Sequence, residues 1–349
     1  MSGTEPPAGA ATHAEQNGPD RVVLDVEGLV VRYPIARGLI GTLARRPRQE
    51  VHAVEGISFT LRRGEMLALV GESGCGKTTT AQAVLRLVDA QAGAIRLEGR
   101  DISAVPRDQL RELRRRVQII YQDPYESLDP RFTVRDTIEE PMRIHRIASS
   151  PGERAAKVGA ALARVGLQPP ELFLDRYPHE LSGGQRQRVA VAASLVLDPE
   201  LLVADEPVSM LDVSVRAGVL SLLDELRRGG VTILMITHDL STAAHYADRI
   251  AVMYLGTIVE EGPALDVVND PQHPYTKALM SVIPDPDPRR KRERQILRGE
   301  TPNPVNVPPG CRFHPRCPVA RAECRTDEPR LHPVAGARSA RQRAACLFA

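Results

Sequence analysis

One stretch of nine residues, Gly71-Glu72-Ser73-Gly74-Cys75-Gly76-Lys77-Thr78-Thr79, constrains this chain more than any other. It fits G-x-x-x-x-G-K-[ST] without a mismatch, and its flanks suit the chemistry. The apolar run Met66-Leu67-Ala68-Leu69-Val70 before it predicts a buried strand, and Thr80 to Leu87 after it predicts a helix. A glycine-rich turn between strand and helix can wrap backbone N–H groups around a polyphosphate, and the helix N-terminus adds its positive dipole end. Lys77 is placed to reach the β- and γ-phosphates, and the Thr78 hydroxyl to ligate Mg²⁺.

Composition sets the outer bounds. A chain of 349 residues allows one large or two smaller domains with a substantial core. Aromatic residues make up 3% of it and Trp is absent, which argues against a base-stacking nucleic-acid surface. The net charge of +2 hides an asymmetry: from residue 271 onward there are 15 Lys/Arg against 7 Asp/Glu. No run approaches the ~18 apolar residues of a membrane span, and the most apolar stretch, Val189 to Leu197, reads as a core helix. Residues 1–20 lack an apolar segment and are rich in Ala, Gly, Pro and polar residues, so they read as a disordered lead rather than a signal peptide. A cytoplasmic chain is expected, with any membrane role exercised through a partner.

Along the chain, Val22 to Val26 and Leu29 to Tyr33 predict two strands around Glu27-Gly28, followed by a basic loop, Ile35 to Arg48, and a further strand, Ala53 to Leu61. Strand signals at Ile95 to Leu97 and Val117 to Tyr121 bracket a charged helix near Arg107 to Arg116. From Val134 to about Ala193 the pattern is mostly helical, broken at Pro169-Pro170. Strands at Leu201 to Ala204, Thr232 to Ile236 and Ile250 to Tyr254 then alternate with helices at Val215 to Arg228 and Ser241 to Tyr246. Such alternation describes an α/β core with a parallel sheet and a helical insertion. Past about Gly262, prolines crowd in, basic residues cluster from Arg289 to Arg298, and four of the five cysteines appear, which marks a C-terminal extension.

Five further motifs follow the phosphate loop in a fixed order. They are Gln122 after Tyr121, Leu181-Ser182-Gly183-Gly184-Gln185, Leu201 to Ala204 ending in Asp205-Glu206, Ser209-Met210-Leu211-Asp212, and Ile236-Thr237-His238-Asp239. With them the chain resembles the ATP-binding subunits of ABC transporters over roughly residues 21 to 262. The resemblance implies an ABC-type P-loop ATPase core: a parallel sheet, an antiparallel β subdomain, and a helical subdomain at about 123–193. The small cysteine-bearing extension, 263–349, lies beyond it.

Phosphoryl transfer to water needs charge neutralisation and an in-line nucleophile. Asp205 can hold the hydration shell of Mg²⁺ while Glu206 polarises the attacking water. His238 can bridge the γ-phosphate and the nucleophile, and Gln122 can touch metal and water. Gly71, Ser73, Gly74, Cys75, Gly76 and Thr79 complete the loop around Lys77 and Thr78. Tyr33 aligns with the aromatic that stacks on adenine in the family. Ser182, Gly183, Gly184 and Gln185 open a predicted helix whose N–H groups form a second anion site. In the family that site meets the γ-phosphate bound by the opposite subunit, so two ATP molecules are enclosed in a head-to-tail dimer. Many relatives carry Thr where this chain has Val208, Ala where it has Met210, and Arg where it has Ala193; none of these contacts phosphate or metal. Cys75 reads as a small residue whose helix N-terminal setting lowers its pKa and exposes it to alkylation.

The cysteines run Cys311-x₅-Cys317-x₆-Cys324-x₂₁-Cys346. Disulfides are disfavoured in a reducing compartment, and four soft thiolates suit zinc or an iron–sulfur cluster. Their spacing matches neither the usual zinc pairs nor a bacterial ferredoxin run. Together with His273-Pro274-Tyr275-Thr276-Lys277-Ala278-Leu279, this segment resembles the extension of ATPase subunits from oligopeptide/dipeptide importers. That resemblance implies a [4Fe–4S] cluster on Cys311, Cys317, Cys324 and Cys346, with zinc or free thiols as the alternatives.

The function implied is ATP hydrolysis that powers peptide import from the cytoplasmic face of the membrane. The partners implied are a second ATPase subunit, identical or homologous, two membrane permeases and an extracytoplasmic binding protein. Nickel or oligosaccharide import on the same scaffold is the nearest alternative; a soluble ATPase of DNA repair or translation is a more distant one. The basic run from Arg289 is either a solvated linker or a contact for anionic lipid headgroups.

Overall fold

The computed structural model describes residues 21–35, 49–106, 108–123, 127–283, 295, 297 and 299–349. The N-terminal lead, nearly all of the basic loop 35–48 and most of the basic run 289–298 lie outside the described residues.

Two sheets carry the fold. The larger holds eight strands, and five of them form its parallel part: β6 (Val117–Ile120), β7 (Leu201–Asp205), β8 (Thr232–Thr237), β3 (Met66–Val70) and β9 (Arg249–Tyr254), in that spatial order. Their near-continuous apolar runs follow from burial on both faces. In β3, Met66, Ala68 and Val70 enter one core cluster while Leu67 and Leu69 enter the other. The same alternation holds for Ile233 and Met235 against Leu234 and Ile236 in β8. Each fully buried Leu, Ile or Val in these strands stabilises the fold by about 1.5–3 kcal/mol.

The second sheet is antiparallel, in the order β2-β1-β4-β5, where β1 is Val22–Pro34, β2 Glu50–Arg62, β4 Ala92–Leu97 and β5 Arg100–Asp101. The two strands expected around Glu27-Gly28 are one strand of 13 residues. The pairing register shifts between Val26 and Leu29, and Gly28 takes φ 59 there, so the turn signal is a bulge inside β1 rather than a break.

Helix α1 (Lys77–Val84) follows β3, and α2 (Leu110–Arg116) precedes β6. The insertion packs α3 (Val134–His145), α4 (Pro151–Arg164) and α5 (Gly183–Leu195) together. A short 3₁₀ turn, Pro170–Leu172, marks the expected proline break. Helices α6 (Val213–Arg228) and α7 (Leu240–Tyr246) alternate with the parallel strands. No helix among the described residues is long and apolar enough to cross a membrane.

The composition change at Gly262 falls inside β10 (Thr257–Pro263), which pairs antiparallel with β9. Helices α8 (Ala264–Asn269) and α9 (Pro274–Ser281) follow. The far end of the extension returns to the same sheet: β12 (Arg343–Ala344) pairs with β10, and β11 (His332–Pro333) pairs with β12. Buried Glu260 explains this attachment. Its carboxylate accepts the backbone N–H groups of Gln272 and His273, both at 2.8 Å, and the Gln342 amide at 2.9 Å.

Candidate functional site

Register brings the motifs together. Val70 lies opposite Thr237, and Asp205 opposite Ile236, so the carboxyl ends of β3, β8 and β7 stand side by side with β6 next in line. Each strand ends at a motif: the phosphate loop after β3, His238 after β8, Asp205-Glu206 at β7, and Gln122 after β6. Carboxyl ends of adjacent parallel strands are where α/β sheets bind ligands. A cleft of about 450 Å³ opens there, lined by Ser73, Gly74, Gly76, Lys77, Thr78, Thr79, Gln122, Glu206 and His238.

Glycine is required at Gly76, which caps α1 with φ 107; a Cβ there would stand 2.2 Å from the Ala53 carbonyl oxygen. Lys77, 5% exposed, donates through Nζ to the Gly71 carbonyl at 2.8 Å and the Glu72 carbonyl at 3.0 Å. Two of its three protons therefore brace the loop, and the third meets only the weak acceptor Cys75 Sγ, at 3.7 Å, which a phosphate oxygen can displace. Gly71 thus acts from behind the cleft, through its carbonyl.

Thr78 Oγ1 donates to Asp205 Oδ1 at 3.3 Å. Asp205 is buried, and that desolvation, with a smaller contribution from Glu206, raises its carboxyl above the usual range. A hydroxyl and a dehydrated carboxylate side by side make an oxygen donor set that fits Mg²⁺.

Glu206 sits at φ 44, a left-handed conformation that costs a non-glycine residue on the order of 1–2 kcal/mol, and its N–H bonds to the Ile236 carbonyl at 2.9 Å. The turn swings its carboxylate into the cleft. There Oε2 lies 3.2 Å from His238 Nδ1 and 3.4 Å from Gln122 Nε2. Two motif side chains, from the ends of β8 and β6, thus converge on one oxygen of the Glu206 carboxylate beside the phosphate loop.

Ser182 caps α5. Its hydroxyl accepts the Gln185 N–H at 3.3 Å, and the Gln185 side chain accepts the Ser182 N–H at 2.9 Å. Ser182, Gly183, Gly184 and Gln185 do not line the cleft of their own chain. Tyr33 is 37% exposed at the end of β1 and does not line it either. The expectation for Cys75 is overturned: the thiol is 2% exposed, and burial pushes its pKa up despite Lys77 nearby, so it is not an alkylation target. A larger cleft, about 580 Å³, lies between β2, β10 and the extension. It holds no motif residue of the phosphate site.

The four C-terminal cysteines line one small pocket with Phe313, His314 and Phe348. All four are free thiols. Backbone pairing draws two together: the Cys311 N–H bonds to the Cys324 carbonyl at 2.9 Å. Burial, with a lesser contribution from the other three thiols, pushes the Cys311 thiol up to about 11, and burial raises Cys317 as well. Among the described residues no group of three or more His, Cys, Asp or Glu already stands in a set that could hold a metal ion. What fits a thiophilic metal is the donor chemistry, four soft sulfurs around one space.

Sequence reasoning missed what His273-Pro274-Tyr275 does. His273 caps α9, its Nδ1 accepting the Tyr275 N–H at 3.1 Å, with Pro274 at the first helical position. The Tyr275 hydroxyl then accepts the N–H of Glu72 in the phosphate loop at 3.0 Å. Tyr275 joins Tyr254 and Phe313 in a buried aromatic group with ring centroids 4.8–5.4 Å apart. An N-cap histidine before Pro was the signal available in the sequence; the partner of Tyr275, about two hundred positions away, was not.

Fold and cleft together define an ATP-binding cassette, and the comparisons agree. Residues 54–209 match the ABC transporter family, and residues 259–324 match the family described as the oligopeptide/dipeptide transporter, C-terminal region. The oligopeptide transport ATP-binding protein AppF of Bacillus subtilis is 45% identical over 317 residues, 90% of this chain and 94% of the relative. OppF of Salmonella typhimurium, also an oligopeptide transport ATP-binding protein, is 44% identical over 89% of this chain and 93% of its own length. Among solved structures, an ATP-binding cassette in a dimeric post-hydrolysis state with ADP and Pi matches with TM-score 0.59 and 25% identity, covering 69% of this chain and 98% of that one. The cassette cbiO1 of Clostridium perfringens matches with TM-score 0.60 and 29% identity, covering 72% and 92%.

The chain is therefore an ABC ATPase. It belongs to the ATP-binding subunits of the oligopeptide/dipeptide transporter family.

Proposed function

We propose that this chain hydrolyses ATP to drive peptide import through a membrane transporter, at the cytoplasmic face, with closure of an ATPase dimer as the power stroke. The supporting observation is the coexistence of a cleft that gathers the phosphate loop, Gln122, Glu206 and His238 with a C-terminal segment of the oligopeptide/dipeptide type. The partners are a second ATPase subunit, two permeases and an extracytoplasmic binding protein. The names of the relatives support peptides as cargo.

In the cleft, the loop N–H groups, the Lys77 ammonium and the α1 N-terminus hold the polyphosphate. Thr78 and Asp205 would hold Mg²⁺, which would neutralise charge on the phosphates. Glu206 accepts a proton from, and so orients, the attacking water; His238 and Gln122 fix the carboxylate that does so. Ser182, Gly183, Gly184 and Gln185, which do not line this cleft, serve the partner's nucleotide. Tyr33 offers its exposed ring to adenine. We assign Cys311, Cys317, Cys324 and Cys346 to a structural [4Fe–4S] cluster on their thiolate chemistry, zinc being the alternative.

The test is ATP-dependent uptake of labelled tripeptides and pentapeptides by vesicles carrying the whole transporter. Lys77→Ala in this chain is expected to stop uptake; undiminished uptake would refute the reading.

A further inference from the structure

The second residue of the phosphate loop is gripped from the far end of the chain. Glu72 offers three groups, and all are taken. Its N–H goes to the Tyr275 hydroxyl at 3.0 Å, and its carbonyl accepts from Lys77 Nζ at 3.0 Å. Its carboxylate accepts both terminal nitrogens of Arg316, at 2.9 and 3.3 Å, and the Thr301 hydroxyl at 2.7 Å. Arg316 also donates to Thr301 at 3.1 Å. Three separate segments of the extension, at Tyr275, Thr301 and Arg316, thus converge on one loop residue.

Arg316 is held rigidly for this task. Its side chain is 9% exposed, and its guanidinium lies 5.9 Å from the centroid of the Tyr254 ring, within the aromatic group of Tyr254, Tyr275 and Phe313. Burial opposes ionisation of Glu72, but the hydrogen bonds from Arg316 and Thr301 outweigh it and keep the carboxyl below its usual range. An ionised carboxylate in a phosphate loop is a hazard, because it repels the polyphosphate that the loop exists to bind. A bidentate guanidinium removes the hazard and fixes the geometry at once.

We propose that Arg316, seconded by Tyr275, is a positioning residue for nucleotide binding: the extension neutralises Glu72 and sets the peptide whose carbonyl anchors Lys77. The cysteine-bearing segment then braces the phosphate loop from behind the nucleotide seat as well as being an appendage of the transporter. This inference rests on the seat assigned above.

The test is equilibrium binding of a non-hydrolysable ATP analogue, adenylyl imidodiphosphate, to the full chain by calorimetry, with thermal unfolding recorded in parallel. Arg316→Ala is expected to weaken binding about tenfold, less at high salt, because an unneutralised charge is then left in the phosphate loop. Adding Glu72→Gln to Arg316→Ala removes that charge and is expected to restore most of the affinity, which a merely structural strut would not do. Wild-type affinity in Arg316→Ala, or a double variant as weak as the single one, would overturn the proposal. Should Arg316→Ala fail to fold, Tyr275→Phe, which removes only the hydroxyl, is expected to cost about threefold in affinity. Unchanged binding there would overturn the proposal too. A wild-type chain that binds no analogue would instead refute the seat itself.

Discussion

The nucleotide cleft and the cysteine pocket solve the same problem, convergence of distant side chains, by opposite means. In the cleft, four neighbouring parallel strands each deliver one short motif to a common edge, so sheet register does the assembling. In the cysteine pocket there is almost no regular structure between Cys311 and Cys346. A 3₁₀ turn at Ala322–Arg325 and two-residue strands are all that lie between, and turn hydrogen bonds with packing around Phe313 do the assembling. A site of the first kind tolerates loss of one side chain because its backbone is held elsewhere. A site of the second kind depends on its own side chains for shape.

The largest test of that contrast is Glu206→Gln. It keeps shape and hydrogen bonding but removes the proton acceptor, and steady-state ATPase activity is expected to fall by roughly 10²–10⁴-fold. ATP binding should persist, and a closed dimer should accumulate on size-exclusion chromatography. Activity at the wild-type rate would show that Glu206 lacks the role given to it. Next in size, Lys77→Ala removes a charged donor from the phosphates and is expected to weaken ATP binding by roughly 10–100-fold with the thermal midpoint almost unmoved. A large drop in stability would mean that Lys77's bonds to Gly71 and Glu72 hold the fold rather than the ligand.

Cys311→Ser probes the other region, where site and shape are predicted to fail together. Iron per chain, measured after anaerobic purification, is expected to fall by at least about half, and the thermal midpoint by several degrees. Stoichiometric zinc in the wild type would replace the cluster assignment, and a metal-free wild type would remove it.

The last test concerns His273, beside the cysteine pocket. Burial drives its pKa from 6.5 down to about 3. Below pH 6.5 the unfolded chain takes a proton that the folded chain refuses. Stability is therefore complete above that value and declines toward pH 3, by about 1.4 kcal/mol per pH unit along the steep part. His273→Asn keeps an N-cap oxygen and is expected to flatten urea-unfolding stability over this window. An unchanged slope would show that other groups carry it.

How much of this was legible follows from the same contrast. Each cleft motif is local, a few residues at the end of an apolar run, so Lys77, Thr78, Asp205, Glu206, Gln122 and His238 could be read without knowing their neighbours. The parallel sheet then placed them. The bulge at Gly28 was misread as a break because a Gly-containing turn signal and a bulge look alike until cross-strand register is known. Cys75 was misread because its helix-end position favours a reactive thiol, whereas burial, a property of the whole fold, decides the sign. Glu72 was passed over as a filler position in the motif. Its partners Tyr275, Thr301 and Arg316 lie hundreds of residues downstream, joined to it only by tertiary packing.

The pairing of β12 with β10 has a consequence for how the chain is made. About eighty residues separate the two strands, so during synthesis the unpaired side of β10, with its carboxylates Glu260 and Glu261, waits several seconds or more for its neighbour at 5–20 residues per second. Through that interval the nascent ATPase carries a raw strand edge ready to join other chains. The two acidic side chains that Gln342 and Arg343 later cover serve meanwhile as its guard against aggregation.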